Sequence, residues 1–178
     1  FIKRLLSKAA LFRTLDHGET GITACGWEAT LKNVHIFYRE YYQQGKLISE
    51  HRQNISDLSF DEEYINNYAD PQIFKKTAQK LGGFFTVADE YCDMEEIIAP
   101  PIYWEAADNN EYATRNRINE LLVPNGKYSH PITGESPVPG IYFIESDGDI
   151  YPNGIVQAII QLKNQKRSLL GSINGKNI

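Results

Sequence analysis

Residues 17 to 42, HGETGITACGWEATLKNVHIFYREYY, constrain the fold most, because this dense run of large apolar side chains admits two different backbones. Read as two strands turning at Lys32-Asn33, the segment sets Cys25 beside His35. Read as a loop entering a helix, it sets Cys25 at the helix N-terminus. Spacing favours the helix: Trp27, Leu31, Val34, Tyr38, Tyr41 and Tyr42 step by four, three, four, three and one. Strand alternation fits less well, since Ile36-Phe37-Tyr38 and Tyr41-Tyr42 place bulky groups on both faces. The expectation is a helix over 25–43 with Gly45 as its stop.

Around it, residues 2–13 have the spacing of a short amphipathic helix, and Ser59 with Glu62 makes a capping box for a helix over 60–68. Asp70-Pro71 is a second helix start, closed by Gly82-Gly83. FFTVA at 84–88 is a short strand candidate, and NNEYATRNRINELL resumes helical spacing. The Pro- and Gly-rich stretch 124–140 is a long loop. GIYFIESDGDIYP then predicts a hairpin turning at Asp147-Gly148, followed by a last strand or helix in IVQAIIQLK and a frayed tail over 165–178. Helices ahead of strands predict an α+β fold, with 1–178 as one domain.

At 178 residues and 42% hydrophobic, the chain can bury a core unaided. A net charge of −5, with both signs scattered, offers no basic surface for phosphate contacts, so nucleic acid is not an expected partner. Two cysteines, Cys25 and Cys92, give neither a disulfide framework nor zinc spacing, and no metal or cofactor is expected. No apolar run is long enough to span a bilayer. Because the chain starts at Phe1, it reads as a piece of a longer product, and a missing signal peptide says little about location.

A cysteine acts as a nucleophile only as a thiolate, and a helix N-terminus with a nearby imidazole is the usual way to stabilise one. The small residues before Cys25 suit such a turn. Cys92 sits instead among Asp89, Glu90, Asp93, Glu95 and Glu96, which oppose a thiolate. If either cysteine is catalytic, it is Cys25.

Residues 21–49, GITACGWEATLKNVHIFYREYYQQGKLIS, resemble the nucleophile segment of papain-like cysteine hydrolases, and the CGW triplet is similar to that of some ovarian-tumour deubiquitinases. The resemblance implies a papain-like α+β fold, its central helix packed on a C-terminal antiparallel sheet. It also implies hydrolysis of protein amide or isopeptide bonds by an effector or toxin domain, cytoplasmic or delivered by a bacterium into a target-cell cytosol. The family's chain order then makes Cys25 the nucleophile, His130 the base and Asp147 or Asp149 the group that orients it. The two-strand reading resembles bacterial glutamine deamidases, with Cys25 attacking a carboxamide and His35 as base. Against both stands plain core packing of a small cysteine beside Ala24 and Trp27. Eleven tyrosines, several in FYREYY, also suit a non-enzymatic module that binds a protein partner, such as an immunity or inhibitor protein.

Overall fold

In the computed structural model the described residues are 5–18, 20–76, 78–80, 83–94, 99–145 and 155–163. The stretch read as a helix is a β-hairpin. Strand β1 (Ala10–Asp16) leads into β2 (Ile22–Leu31), which turns at Lys32-Asn33 into β3 (Val34–Gln44). Lys32 and Asn33 have φ of 54° and 65°, the left-handed pair of a type I′ turn, whose twist matches that of the strands it joins. The helix expected over 25–43 is therefore corrected, and the reason lies in two irregularities. Thr23, Cys25, Trp27 and Ala29 point inward from β2 with period two. On β3, Val34 and Ile36 continue the pattern, but a bulge opposite Trp27/Glu28 buries both Tyr38 and Arg39 before Tyr41. A two-residue turn plus one extra residue converts strand alternation into steps of three and four.

Past β3, α1 (Ile48–Ser59) crosses over to β4 (Asn66–Ala69), and a 3-10 turn follows at Pro71–Phe74. A small hairpin of β5 (Ala78–Lys80) and β6 (Gly83–Phe85) precedes α2 (Val87–Cys92), β7 (Glu105–Ala106), α3 (Glu111–Leu122) and β8 (Ile141–Phe143). Residues 156–163 are helical. The main sheet has the order β7-β4-β1-β2-β3-β8. β2 pairs antiparallel with both neighbours and every other pairing is parallel, so five strands share one direction and β2 alone opposes them.

This mixed, mostly parallel sheet overturns the papain-like α+β expectation. Among the described residues β1, β2 and β3 precede the helices α1, α2 and α3, no long central helix packs on a C-terminal antiparallel sheet, and β8 pairs parallel with β3. The predicted turn at Asp147-Gly148 lies outside the described residues. Of the helix expected over 2–13, residues 2–4 lie outside the described residues, 5 and 6 are helical, and 10–13 belong to β1, where Leu11, Arg13 and Leu15 alternate inward. The 60–68 helix is absent because Ser59 ends α1 and Glu62 is drawn to Arg39. Asp70-Pro71 does start a helix, a single 3-10 turn with Asp70 as its cap. The long loop over 124–140, α3, and a helix at IVQAIIQLK agree with expectation.

The core fills one face of the sheet, under α1 and α2, and is unusually polar. Arg39 makes a two-pronged bond to Glu62 at 2.8 and 2.9 Å, and the Tyr38 and Tyr64 hydroxyls donate to the same carboxylate. Burial alone lowers the Arg39 pKa, but the paired carboxylate more than offsets it and the net direction is upward. Fully buried Arg52 donates to the carbonyls of Glu90 and Asp93, which satisfies the C-terminal end of α2. No helix among the described residues is long and apolar enough to cross a membrane.

Candidate functional site

Cys25 sits mid-strand on β2, opposite Leu15 on one side and Tyr41 on the other, with 1% of its surface exposed. Burial pushes its thiol up to about 12, against the opposing pull of Arg13 and Arg39. It has no helix N-terminus to stabilise a thiolate. His35 faces Thr30 across the hairpin, five residues along β2 from Cys25, a separation of roughly 17 Å at strand rise. It also stands on the opposite face of the sheet, held by Glu28 at 2.6 Å. The expectation that a Lys32-Asn33 turn places His35 beside Cys25 is thus corrected: such a turn brings His35 to Thr30.

His130 belongs to the 124–140 loop, where its Nδ1 accepts from the Thr133 amide at 3.2 Å and its ring meets Tyr142 edge-on. Tyr142 lies on β8, two strands from Cys25 and level with Ile36. Asp147 and Asp149 are outside the described residues. Neither histidine reaches the cysteine.

A different group converges at the rim. β1 and β4 run parallel with Leu15 opposite Ala69, so Asp16, the last residue of β1, and Asp70, the first beyond β4, follow at adjoining strand ends. The Asp70 amide donates to the Leu15 carbonyl at 3.0 Å, which fixes the two strand ends about 4.8 Å apart. Asp16 is exposed and Asp70 half-buried. One Asp70 oxygen accepts from the Gln72 amide at 2.7 Å, the other from the Asn109 carboxamide at 3.0 Å. These bonds, the Gln72 amide first, hold the Asp70 carboxyl below the usual range. From β7, the Ala107 amide donates to Ala69 at 2.8 Å and brings Asp108 to the same edge. Strand ends of this kind are where open sheets with parallel strands bind ligands.

Behind Asp16, His17 lies on the core side with its Nδ1 3.3 Å from the hydroxyls of both Tyr91 and Thr23. Its ring meets His51 edge-on at 5.7 Å. The Tyr41 hydroxyl and the Nδ1 of His51 are hydrogen-bonded at 2.7 Å. Burial, with His17 and Lys46 adding to it, pushes His51 down to about 4. No group of three or more His, Cys, Asp or Glu among the described residues encloses a metal position. The rim therefore offers two aspartates at adjoining strand ends, Asp16 open to solvent and Asp70 half-buried and oriented by its two hydrogen bonds. The sequence signals for it were LFRTLD, an alternating strand ending in acid, and Asp70, which carries a second role beyond its helix cap.

No family model matches the chain, and no curated protein does. Among solved structures it is similar to the large terminase of a thermophilic bacteriophage. One crystal form is 15% identical, covering 58% of this chain and 24% of that one with a TM-score of 0.44. Another is 20% identical over 35% of this chain and 18% of that one, with a TM-score of 0.33. The chain thus spans under a quarter of those proteins, and likeness at this level assigns no function.

Proposed function

We propose that the rim of β1 and β4 is a divalent-cation site at which a phosphate ester is hydrolysed. The observation that carries this reading is the placement of Asp16, the last residue of β1, and Asp70, the first beyond β4, at the adjoining ends of two parallel strands. Two carboxylates are hard oxygen donors, and Mg²⁺ or Mn²⁺ held by one or two of them completes its shell with water and substrate phosphate. An open edge leaves room for both. The bound cation neutralises charge on the phosphate and acidifies a coordinated water. Asp16 and Asp70 hold it, and Asn109 fixes the orientation of the Asp70 carboxylate. An acidic chain then meets a phosphate through the cation without needing a basic surface. A thiol mechanism gains no comparable support, because it needs an ionised Cys25 beside an imidazole.

The test is calorimetric titration with Mn²⁺, paired with hydrolysis of bis(p-nitrophenyl) phosphate in Mg²⁺ or Mn²⁺. Wild type binds the ion and releases nitrophenolate, while Asp16→Asn and Asp70→Asn lose both with the fold intact. The reading is wrong if wild type binds no Mn²⁺, or if either variant matches it.

A further inference from the structure

Asp70 stands between two elements that each carry an exposed side chain of a different chemistry. On one side its own chain turns through Pro71–Phe74, where the Ile73 amide donates to the Asp70 carbonyl at 3.1 Å and the Lys75 amide to the Gln72 carbonyl at 3.0 Å. The turn folds exposed Lys75 back toward the carboxylate. The Gln72 amide and the Asn109 carboxamide lower the Asp70 carboxyl most, and the Lys75 ammonium adds to them. On the other side Asn109, bonded to Asp70 at 3.0 Å, leads into α3. Asn110 caps that helix by accepting the Ala113 amide at 3.0 Å, so Tyr112 falls in its first turn. Two residues past the cap add a rise of only about 3 Å, which keeps the ring close to the rim. Tyr112 is 78% exposed, more than any other large apolar side chain among the described residues. Among those residues Lys75 forms no salt bridge, and Tyr112 no hydrogen bond or ring contact.

Charge and shape give these two side chains separate tasks. A divalent cation held by Asp16 and Asp70 has its two charges offset by two carboxylates, so a bound phosphate keeps its own negative charge unmatched. Asp108, whose carboxylate accepts from the Asn110 amide at 3.1 Å, adds a further negative group on the α3 side. An ammonium on a flexible stem meets that need, since lysine binds phosphate as a point charge. Tyr112 presents a flat ring instead. Contact between two rings, with the apolar area it covers, is worth on the order of tenfold in affinity, and an aliphatic group gains no such contact. We infer, resting on the cation site proposed above, that the rim selects phosphate esters carrying a flat aromatic group. Lys75 holds the phosphate against the cation, and Tyr112 stacks on the aromatic substituent.

Titration of the full chain in Mg²⁺ with diphenyl phosphate and with dimethyl phosphate, followed through backbone amide shifts, tests this beside the calorimetric Mn²⁺ titration. Diphenyl phosphate binds about ten times more tightly than dimethyl phosphate, with shifts at Asp70, Lys75 and Tyr112. Tyr112→Ala brings the two ligands within about threefold of each other, while Mn²⁺ affinity stays within about twofold of wild type. Lys75→Gln weakens both ligands about fivefold or more and leaves their ratio unchanged, so the ratio separates the two roles. With Mn²⁺ binding intact, four results would each overturn the inference: equal binding of the two ligands, a preference that survives Tyr112→Ala, undiminished binding by Lys75→Gln, or shifts away from α3. Absence of Mn²⁺ binding would instead refute the cation site itself, and this selectivity with it.

Discussion

His51 makes acid stability depend on a single buried imidazole. It is 2% exposed, it is hydrogen-bonded to the Tyr41 hydroxyl, and its pKa falls from 6.5 to about 4 chiefly through burial. Between those values an unfolded chain takes up a proton that the native chain refuses, so stability falls as the solution is acidified. Its contribution is complete above pH 6.5 and is lost as pH drops toward 4. At about 1.4 kcal/mol per pKa unit, the full loss is roughly 3 kcal/mol, of which about 2.5 has gone at pH 4.5. His51→Gln keeps a hydrogen-bonding partner for Tyr41 and cannot titrate. Urea unfolding of both proteins at pH 7.5 and 4.5 isolates the effect, because the carboxylates titrate alike in each and cancel in the difference. Wild type should lose about 2 to 3 kcal/mol more than the variant between the two conditions. Equal losses would refute the account, and so would a variant more sensitive to acid than wild type.

Three further outcomes follow from the packing. Glu62→Gln strips the charge partner from buried Arg39 and should cost about 3 to 5 kcal/mol in a denaturant titration, among the largest effects of any single change. Gly140→Ala would place a methyl 2.7 Å from Leu121 and 2.8 Å from the Tyr128 ring, an overpacking worth roughly 1 to 3 kcal/mol that Leu121→Ala in the same chain should partly relieve. Cys25 should resist iodoacetamide at neutral pH while half-buried Cys92 reacts first, and Cys25 should become available only with global unfolding, as read by mass spectrometry.

What could be read from the sequence divides along a physical line. Elements whose signals are local were legible: the Asp70-Pro71 start, the helix through 111–122, and the Pro- and Gly-rich loop before β8. The hairpin of β2 and β3 was not, although Lys32-Asn33 lies between two apolar runs, because lysine seldom adopts the left-handed conformation it holds there. The bulge at Tyr38 then disguised the strand period. α1 was hidden for a related reason. Its start is marked by the Glu50 carboxylate reaching back to the Leu47 amide, without the usual polar residue at the cap, and its buried residues are His51, Arg52 and Ser59 with Ile55 as the aliphatic one. A search for apolar periodicity passes over a face like that.

The candidate site was hidden by distance. Asp16 and Asp70 are 54 positions apart, and nothing near either says that β4 will lie parallel to β1 with the two acids at adjoining strand ends. That pairing needs α1 to carry the chain across the sheet, and α1 was the helix without a readable pattern. Cys25 drew attention for the opposite reason, since its small neighbours resemble a catalytic turn in isolation. In the fold those neighbours serve a different end. On the inner face, Thr23 is small enough for His17 to reach its hydroxyl, with His51 and Tyr91 packed edge-on against that imidazole. On the outer face a Cβ on Gly26 would stand 3.1 Å from the Thr14 hydroxyl, and opposite Ala24 and Gly26 the side chains of Tyr42 and Glu40 reach the helix at 156–163. A single run of small residues thus makes a polar core possible behind the sheet and leaves Tyr42 and Glu40 free to anchor a helix in front of it.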